Sequence, residues 1–322
     1  MGKDEIRRGA ETLVHICANV KANEKVLIIS DTITYELGKE IELVAKTISS
    51  YVKHLIIEPF KIHGQEPPSN IADEMLGKDI IFGITKMSLA HSLARQKASL
   101  NGARYLSLPD YSIEVISSEA LQVDYNQIKS IVEKVSEVLT KGNKVVVRTE
   151  LGTDITSIIT NRKGNAAPGT CLVPGMLSSP PDIEANIAPI EDQSEGVIVV
   201  DGSIPCNGLG ILEEPIQLEI KKGSITKVSG KKSIVVVDIL DELKVLKTHI
   251  LAEIGFGLNP KAKLQGFMLE DEGCLGTVHF GFGSNTALGG LNQVPFHLDM
   301  VIRFPTVYVD DKMILEKGRL LF

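Results

Sequence analysis

The sequence predicts an α/β N-terminal domain with a parallel sheet, followed by a β-rich α+β C-terminal domain. Three observations lead there. Short, uninterrupted apolar runs alternate with stretches of helical periodicity up to about residue 144. After that point the runs become alternating or bounded by Gly. Near the end, polar residues able to hold a cation stand inside segments otherwise made of Gly and apolar side chains.

Residues 26–29 (VLII), 54–57 (HLII), 80–83 (IIFG) and 105–108 (YLSL) read as parallel strands, because continuous hydrophobicity implies cover on both faces. Between them, 35–49 and 87–100 carry helical periodicity. Ser30, Asp31, Thr32 and Ser88 stand where helix caps follow strand ends, at the edge where open α/β sheets hold ligands. A Gly-rich phosphate loop is absent from the sequence. Residues 125–140 form a further predicted helix, and Lys141-Gly142-Asn143 marks the change of texture, giving domains 1–144 and 145–322. In the second, 145–147, 196–200, 216–220 and 224–228 are predicted strands, with Lys222-Gly223 as the tight turn of a hairpin. One helix, 238–247, interrupts them.

A chain of 322 residues suggests about two domains, each large enough for its own core. With 43% hydrophobic and 23% charged residues, wholesale disorder is excluded. The net charge of -7 disfavours nucleic acid or an anionic membrane as the main partner. No apolar run approaches the roughly 20 residues that span a bilayer. The charged start lacks the apolar stretch of an export signal, so the expected location is cytoplasmic. Cys17, Cys171, Cys206 and Cys274 form no CxxC pair, which leaves neither a zinc knuckle nor a redox dithiol.

Four segments carry the chemistry: 181–189 (PDIEANIAP), 252–260 (AEIGFGLNP), 276–283 (GTVHFGFG) and 296–304 (FHLDMVIRF). In a strand, His297 and Asp299 project to one face while Leu298 points away, so both reach one point. The apolar neighbours imply burial, and a buried carboxylate requires a partner. Arg303 is one such partner; a cation is another. His279 lies in an apolar Gly-rich strand where a ligand can approach closely. Glu253 follows only Ala252 before an Ile-Gly-Phe-Gly run, and buried glutamate is rare unless paired or metal-bound. Glu184 has Asp182 and Glu191 as acidic neighbours that could stand in for it. The 270–273 run (EDEG) reads as a solvated loop. Three carboxylates with two neutral imidazoles carry three negative charges, which a hydroxide-bridged pair of divalent ions neutralises better than one ion does. Donors of nitrogen and oxygen without cysteine fit Zn, Co or Mn.

At these segments the sequence resembles the M29 family of metallo-aminopeptidases. The resemblance rests on Gly152-Thr153-Asp154, the Pro-x-x-Glu ending at Glu184, Ala252-Glu253-Ile254-Gly255, Gly276-Thr277-Val278-His279 and His297-Leu298-Asp299, in family order. It implies that Glu184, Glu253, His279, His297 and Asp299 ligate two divalent ions that activate water to hydrolyse N-terminal residues from small peptides. It also implies one of the two glutamates as the proton relay, and a homodimer. Where that family has a tyrosine shortly after the histidine, this chain has only Phe280 to Thr286 without one. A second resemblance is to dihydroxypyridine ring-opening dioxygenases, which use two histidines and a carboxylate. It implies one Fe(II) held by His297 and Asp299 with His279 or Glu253, although those enzymes carry histidine where this chain has Glu253. A binding protein without turnover is the third reading.

Overall fold

The computed structural model describes residues 2–206 and 208–322, which divide into two compact units. One unit takes the chain up to Tyr125 and then Gly169–Pro181; the other takes Asn126–Pro168 and Asp182–Phe322.

The first unit is built on a five-stranded parallel sheet, in the order Val52–Ile57, Val26–Asp31, Ile80–Ile84, Arg104–Ser107, Leu177–Ser178. Its central strands are buried along their whole length, as expected of strands covered on both faces. The last strand is two residues long and comes from the Gly169–Pro181 excursion. Helix Tyr35–Ala45 ends four residues before the predicted 49. The predicted 87–100 helix is formed only as Leu93–Leu100, because Ser92 caps it by accepting from the Arg95 amide. Ser88 instead accepts from the Ala90 amide, and Asp31 accepts from the Ile33 and Thr34 amides ahead of Tyr35.

The second unit contains two antiparallel sheets. The larger runs Ser224–Ser229, Ile216–Lys221, Ser194–Val200, Asp154–Ile158, Lys144–Arg148, Thr306–Val309, Lys312–Glu316, Arg319–Leu320. Its predicted hairpin closes through Lys222 and Gly223, both in the left-handed region, as a two-residue turn matched to strand twist requires. The smaller sheet runs Gly210–Ile211, Ser203–Ile204, His297–Arg303, Thr277–Gly283, Leu251–Gly257, Glu184–Ile187, Asn165–Ala167.

Two predictions are corrected here. The helix expected at 238–247 lies at Ser233–Asp241, where Val236, Ile239 and Leu240 supply the buried i, i+3, i+4 stripe. The supposed solvated loop at 270–273 belongs to helix Met268–Gly273. There Glu270 and Asp271 are buried because they accept from the Lys263, Gln265 and Gly266 amides.

Candidate metal centre

Residues directly opposite in an antiparallel pair share a face. In the smaller sheet Asp299 stands opposite Gly281, His297 opposite Gly283, His279 opposite Gly255, Glu253 opposite Gly281 and Glu184 opposite Gly257. Five candidate donors from four strands therefore project from one face, and every one is paired with a glycine. The other face carries Ile254, Phe256, Phe280, Phe282, Met300 and Ile302, all fully buried, so hydrophobic packing fixes the strands beneath the donors.

The glycines make the hollow. A Cβ on Gly255 would overlap the imidazole of His279, and one on Gly281 would lie 2.8 Å from both Asp299 Oδ1 and His297 Nε2. The Gly-x-Gly runs around Glu253 and His279 are thus the floor on which the donors lie.

The donors form two groups that share Glu253. Glu184, Glu253 and His279 each bring one ligand atom within 4.8 Å of the others, and so do Glu253, His297 and Asp299. His279 Nε2 lies 2.9 Å from Glu184 Oε2 and 3.7 Å from Glu253 Oε1; His297 Nε2 lies 3.2 Å from Glu253 Oε2 and 3.3 Å from Asp299 Oδ2. Nδ1 of His297 donates to the Ser284 carbonyl at 2.9 Å, which turns Nε2 toward the carboxylates. The His297 side chain is 29% exposed, whereas that of His279 is 2% exposed, so the group containing His297 is the one open to solvent. Asp299 meets His297, while the Arg303 amide donates to Asp201.

The electrostatics describe a hole for positive charge. Burial opposes ionisation of Glu253, yet hydrogen bonds from His279 and His297 outweigh it and hold the carboxyl at about 2. Burial disfavours charge on both imidazoles, but Glu184 facing His279 and Asp299 facing His297 raise them well above the usual histidine range. Burial, and then the neighbouring carboxylates, push Asp182 and Glu272 well above the usual carboxylate range. Buried Asp182 Oδ1, Glu272 Oε1, Asp299 Oδ1 and His279 Nδ1 have no hydrogen-bond partner among the described residues. Oxygen and nitrogen donors of this kind, converging and unsatisfied, fit a hard or borderline divalent cation.

All five residues singled out in the sequence are brought together. Glu191, the possible substitute for Glu184, is instead paired with Arg162 at 2.6 Å and accepts from the Leu291 amide. Asp182, the other possible substitute for Glu184, joins the cluster's charge field, and so does Glu272, which the sequence reading did not single out. Asp182 is two residues from Glu184, the spacing of a shared strand face; for Glu272 no sequence signal exists, because its acidic neighbours mimic a solvated run.

The model of the family described as NicX, 2,5-dihydroxypyridine 5,6-dioxygenase, matches residues 11–322, and the chain belongs to that family. A 2,5-dihydroxypyridine 5,6-dioxygenase of Pseudomonas putida KT2440 is 27% identical over 246 residues, covering 73% of this chain and 69% of the relative. The solved 2,5-dihydroxypyridine dioxygenase from Pseudomonas putida KT2440 has a TM-score of 0.85 at 21% identity, over 100% of this chain and 98% of that one. Wild-type AmpT from Thermus thermophilus has a TM-score of 0.72 at 15% identity, over 99% and 100%. The aminopeptidase resemblance is thereby a relation of fold. The family match overturns the expected peptidase activity, and with it the description as a hydrolase or protease: this is an enzyme of a dioxygenase family. Among the described residues no helix is long and apolar enough to cross a membrane.

Proposed function

We propose that the chain is an Fe(II)-dependent ring-opening dioxygenase of a dihydroxypyridine, with one iron held by Glu253, His297 and Asp299. The observation that carries this reading is the convergence of these three donors within 4.8 Å, at the solvent-open side of the cluster, in a chain of this family. Glu253, His297 and Asp299 would hold the iron from the sheet face, with the solvent-open His297 side left for the substrate to approach. When bound, iron supplies the one-electron chemistry by which dioxygen reacts with an aromatic ring.

The chain's own residues prepare that site. Ser284 holds His297 by its Nδ1–H and so presents Nε2 as a donor. Glu253 stands between both imidazoles and is kept ionised by them. The buried phenylalanines on the opposite face keep water from reaching the donors through the sheet. Glu184 and His279, buried behind the open group, supply compensating charge at close range. Ring opening by dioxygenation places both oxygen atoms of O2 in the product, so the overall reaction balances without an external reductant.

The test is anaerobic reconstitution with Fe(II), followed by 2,5-dihydroxypyridine and air. Oxygen uptake should equal loss of the substrate's ring absorbance, with one iron per chain. Absence of oxygen consumption in iron-loaded protein, or two Zn, Co or Mn per chain with no response to iron, would overturn the proposal.

A further inference from the structure

Residues 284–296 join strand Thr277–Gly283 to its antiparallel neighbour His297–Arg303, and their regular structure is a single turn, Thr286–Leu288. Such neighbours are commonly joined by about two to five residues, and a longer irregular connection usually serves a function. This one starts at the residue that orients His297. The Ser284 carbonyl accepts from His297 Nδ1 at 2.9 Å, and the Ser284 amide donates to the Phe296 carbonyl at 2.8 Å. For that carbonyl to fix a ring whose side chain is 29% exposed, the backbone at Ser284 must itself be held.

Asn285 holds it from within. It is 1% exposed; its amide donates to the Asn292 carbonyl at 3.0 Å, and its Oδ1 accepts from the Asn292 amide at 2.8 Å. Asn292 Nδ2 donates in turn to the Gly283 carbonyl at 2.6 Å and the Lys247 carbonyl at 2.8 Å. Glu191, beyond strand Glu184–Ile187, holds the connection from outside. Its Oε1 accepts from Asn285 Nδ2 at 3.0 Å and from the Leu291 amide at 2.6 Å. Its Oε2 accepts from Arg162 at 2.6 Å, and Arg162 also donates to the Gly289 carbonyl at 2.7 Å. Burial opposes ionisation of Glu191, yet the Leu291 amide, its own amide, Asn285 and Arg162 hold the carboxyl below the usual range. An ionised acceptor makes each of these bonds stronger than a neutral one would. A continuous chain thus runs from Glu191 through Asn285 to the Ser284 carbonyl and the His297 ring.

We propose that Glu191 is a positioning residue for His297: through Asn285 it holds the Ser284 carbonyl that turns the imidazole toward Glu253 and Asp299. Its effect on iron rests on the centre proposed above, whereas its hold on the ring needs no metal, so the two can fail separately.

Nuclear magnetic resonance of the metal-free full chain, carrying nitrogen-15-labelled histidine, tests the hold directly. A His297 Nδ1–H resonance protected from water should appear, identified by its loss in His297→Gln. Glu191→Leu should lose it, whereas Glu191→Gln keeps an acceptor for Asn285 and Leu291 and should retain it. Asn285→Asp sets two carboxylates against each other and should lose the signal. Adding Glu191→Gln to that variant restores a donor between them and should bring the signal back, which a general loss of packing would not do. With iron, Glu191→Leu should weaken Fe(II) binding by about 10- to 100-fold in competition with a chelator. No protected resonance in the wild type, an unchanged one in folded Glu191→Leu and Asn285→Asp, or no recovery in the double variant would each overturn the proposal. Loss of the resonance with Fe(II) affinity unchanged would support the hold on the ring and overturn the iron centre at His297 instead.

Discussion

Gly281→Ala is the sharpest test of the glycine floor. The added Cβ would sit 2.8 Å from Asp299 Oδ1, 2.8 Å from His297 Nε2 and 2.9 Å from the Cβ of Glu253. Ordinary contact begins at 3.4 Å, so each donor atom must retreat by 3.4 minus 2.8, or about 0.6 Å. Metal–ligand distances tolerate about 0.2 Å, so the retreat exceeds the tolerance roughly threefold. All three proposed iron donors are struck by one methyl group. Iron affinity, read by competition with a chromogenic chelator, should fall by at least about 10- to 100-fold, the loss typical of disturbed ligand orientation. The backbone at Gly281 is ordinary strand, so the cost to the fold should be limited to overpacking, about 1–3 kcal/mol. Iron affinity within about twofold of wild type, in a variant that stays folded, would refute the claim that the glycine makes room for the donors.

Other substitutions probe the same site and the first unit. Glu253→Ala and Asp299→Ala should abolish iron retention and oxygen uptake, while Glu184→Ala should keep iron, all measured by metal analysis; loss of iron in Glu184→Ala alone would relocate the centre to the buried group. Arg104 is buried, makes two 2.7 Å bonds to Glu24 and donates to the carbonyls of Ala18 and Cys171. Removing it leaves buried acceptors unpaired, so Arg104→Ala should cost about 3 kcal/mol by urea denaturation, and a loss under about 1 kcal/mol would contradict the anchoring role. His54 is depressed below its usual 6.5 by burial, against the pull of Glu42. The unfolded chain therefore takes up its proton first, so this contribution to stability is full above pH 6.5 and fades as pH falls through 6.5 toward the lower folded value. His54→Asn should flatten the fall in Tm between about pH 7.5 and 5.5 relative to wild type, and an unchanged slope would exclude His54 as its source.

Much of this fold is legible in the sequence wherever burial repeats with a simple period. Continuous apolar runs at 26–29 and 80–83 became central parallel strands because both of their faces are covered. The hairpin at Lys222-Gly223 was readable because the turn needs two left-handed residues. The helix at Ser233–Asp241 was obscured by its Val235-Val236-Val237 run, since β-branched residues argue for strand until a partner surface rewards the 3.6 period. The Leu177–Ser178 strand is too short for any periodicity and exists because the neighbouring Arg104–Ser107 strand offers it an edge. Glu270 and Asp271 look solvated in one dimension because the amides that satisfy them belong to a loop several residues away.

The donors were legible and the reaction was not, and the reason is physical. An antiparallel sheet gathers Glu184, Glu253, His279, His297 and Asp299 by register, so each announces itself as a polar residue on the face of an otherwise apolar strand. Any divalent cation rewards that arrangement, whether it is to polarise a carbonyl or to react with dioxygen. The choice between those chemistries lies in which donors stay open to solvent and in what approaches them. Here that is the His297 side, with an imidazole oriented by Ser284 and two carboxylates beside it. The missing tyrosine after His279 was therefore the more informative feature: a ligand set can persist across a fold while the group that serves one reaction disappears. Putting tyrosine at the exposed Thr286, outside the glycine floor, should therefore leave iron binding intact and create no peptide cleavage. Aminoacyl-anilide turnover in such a variant would show that the sheet holds both chemistries one residue apart.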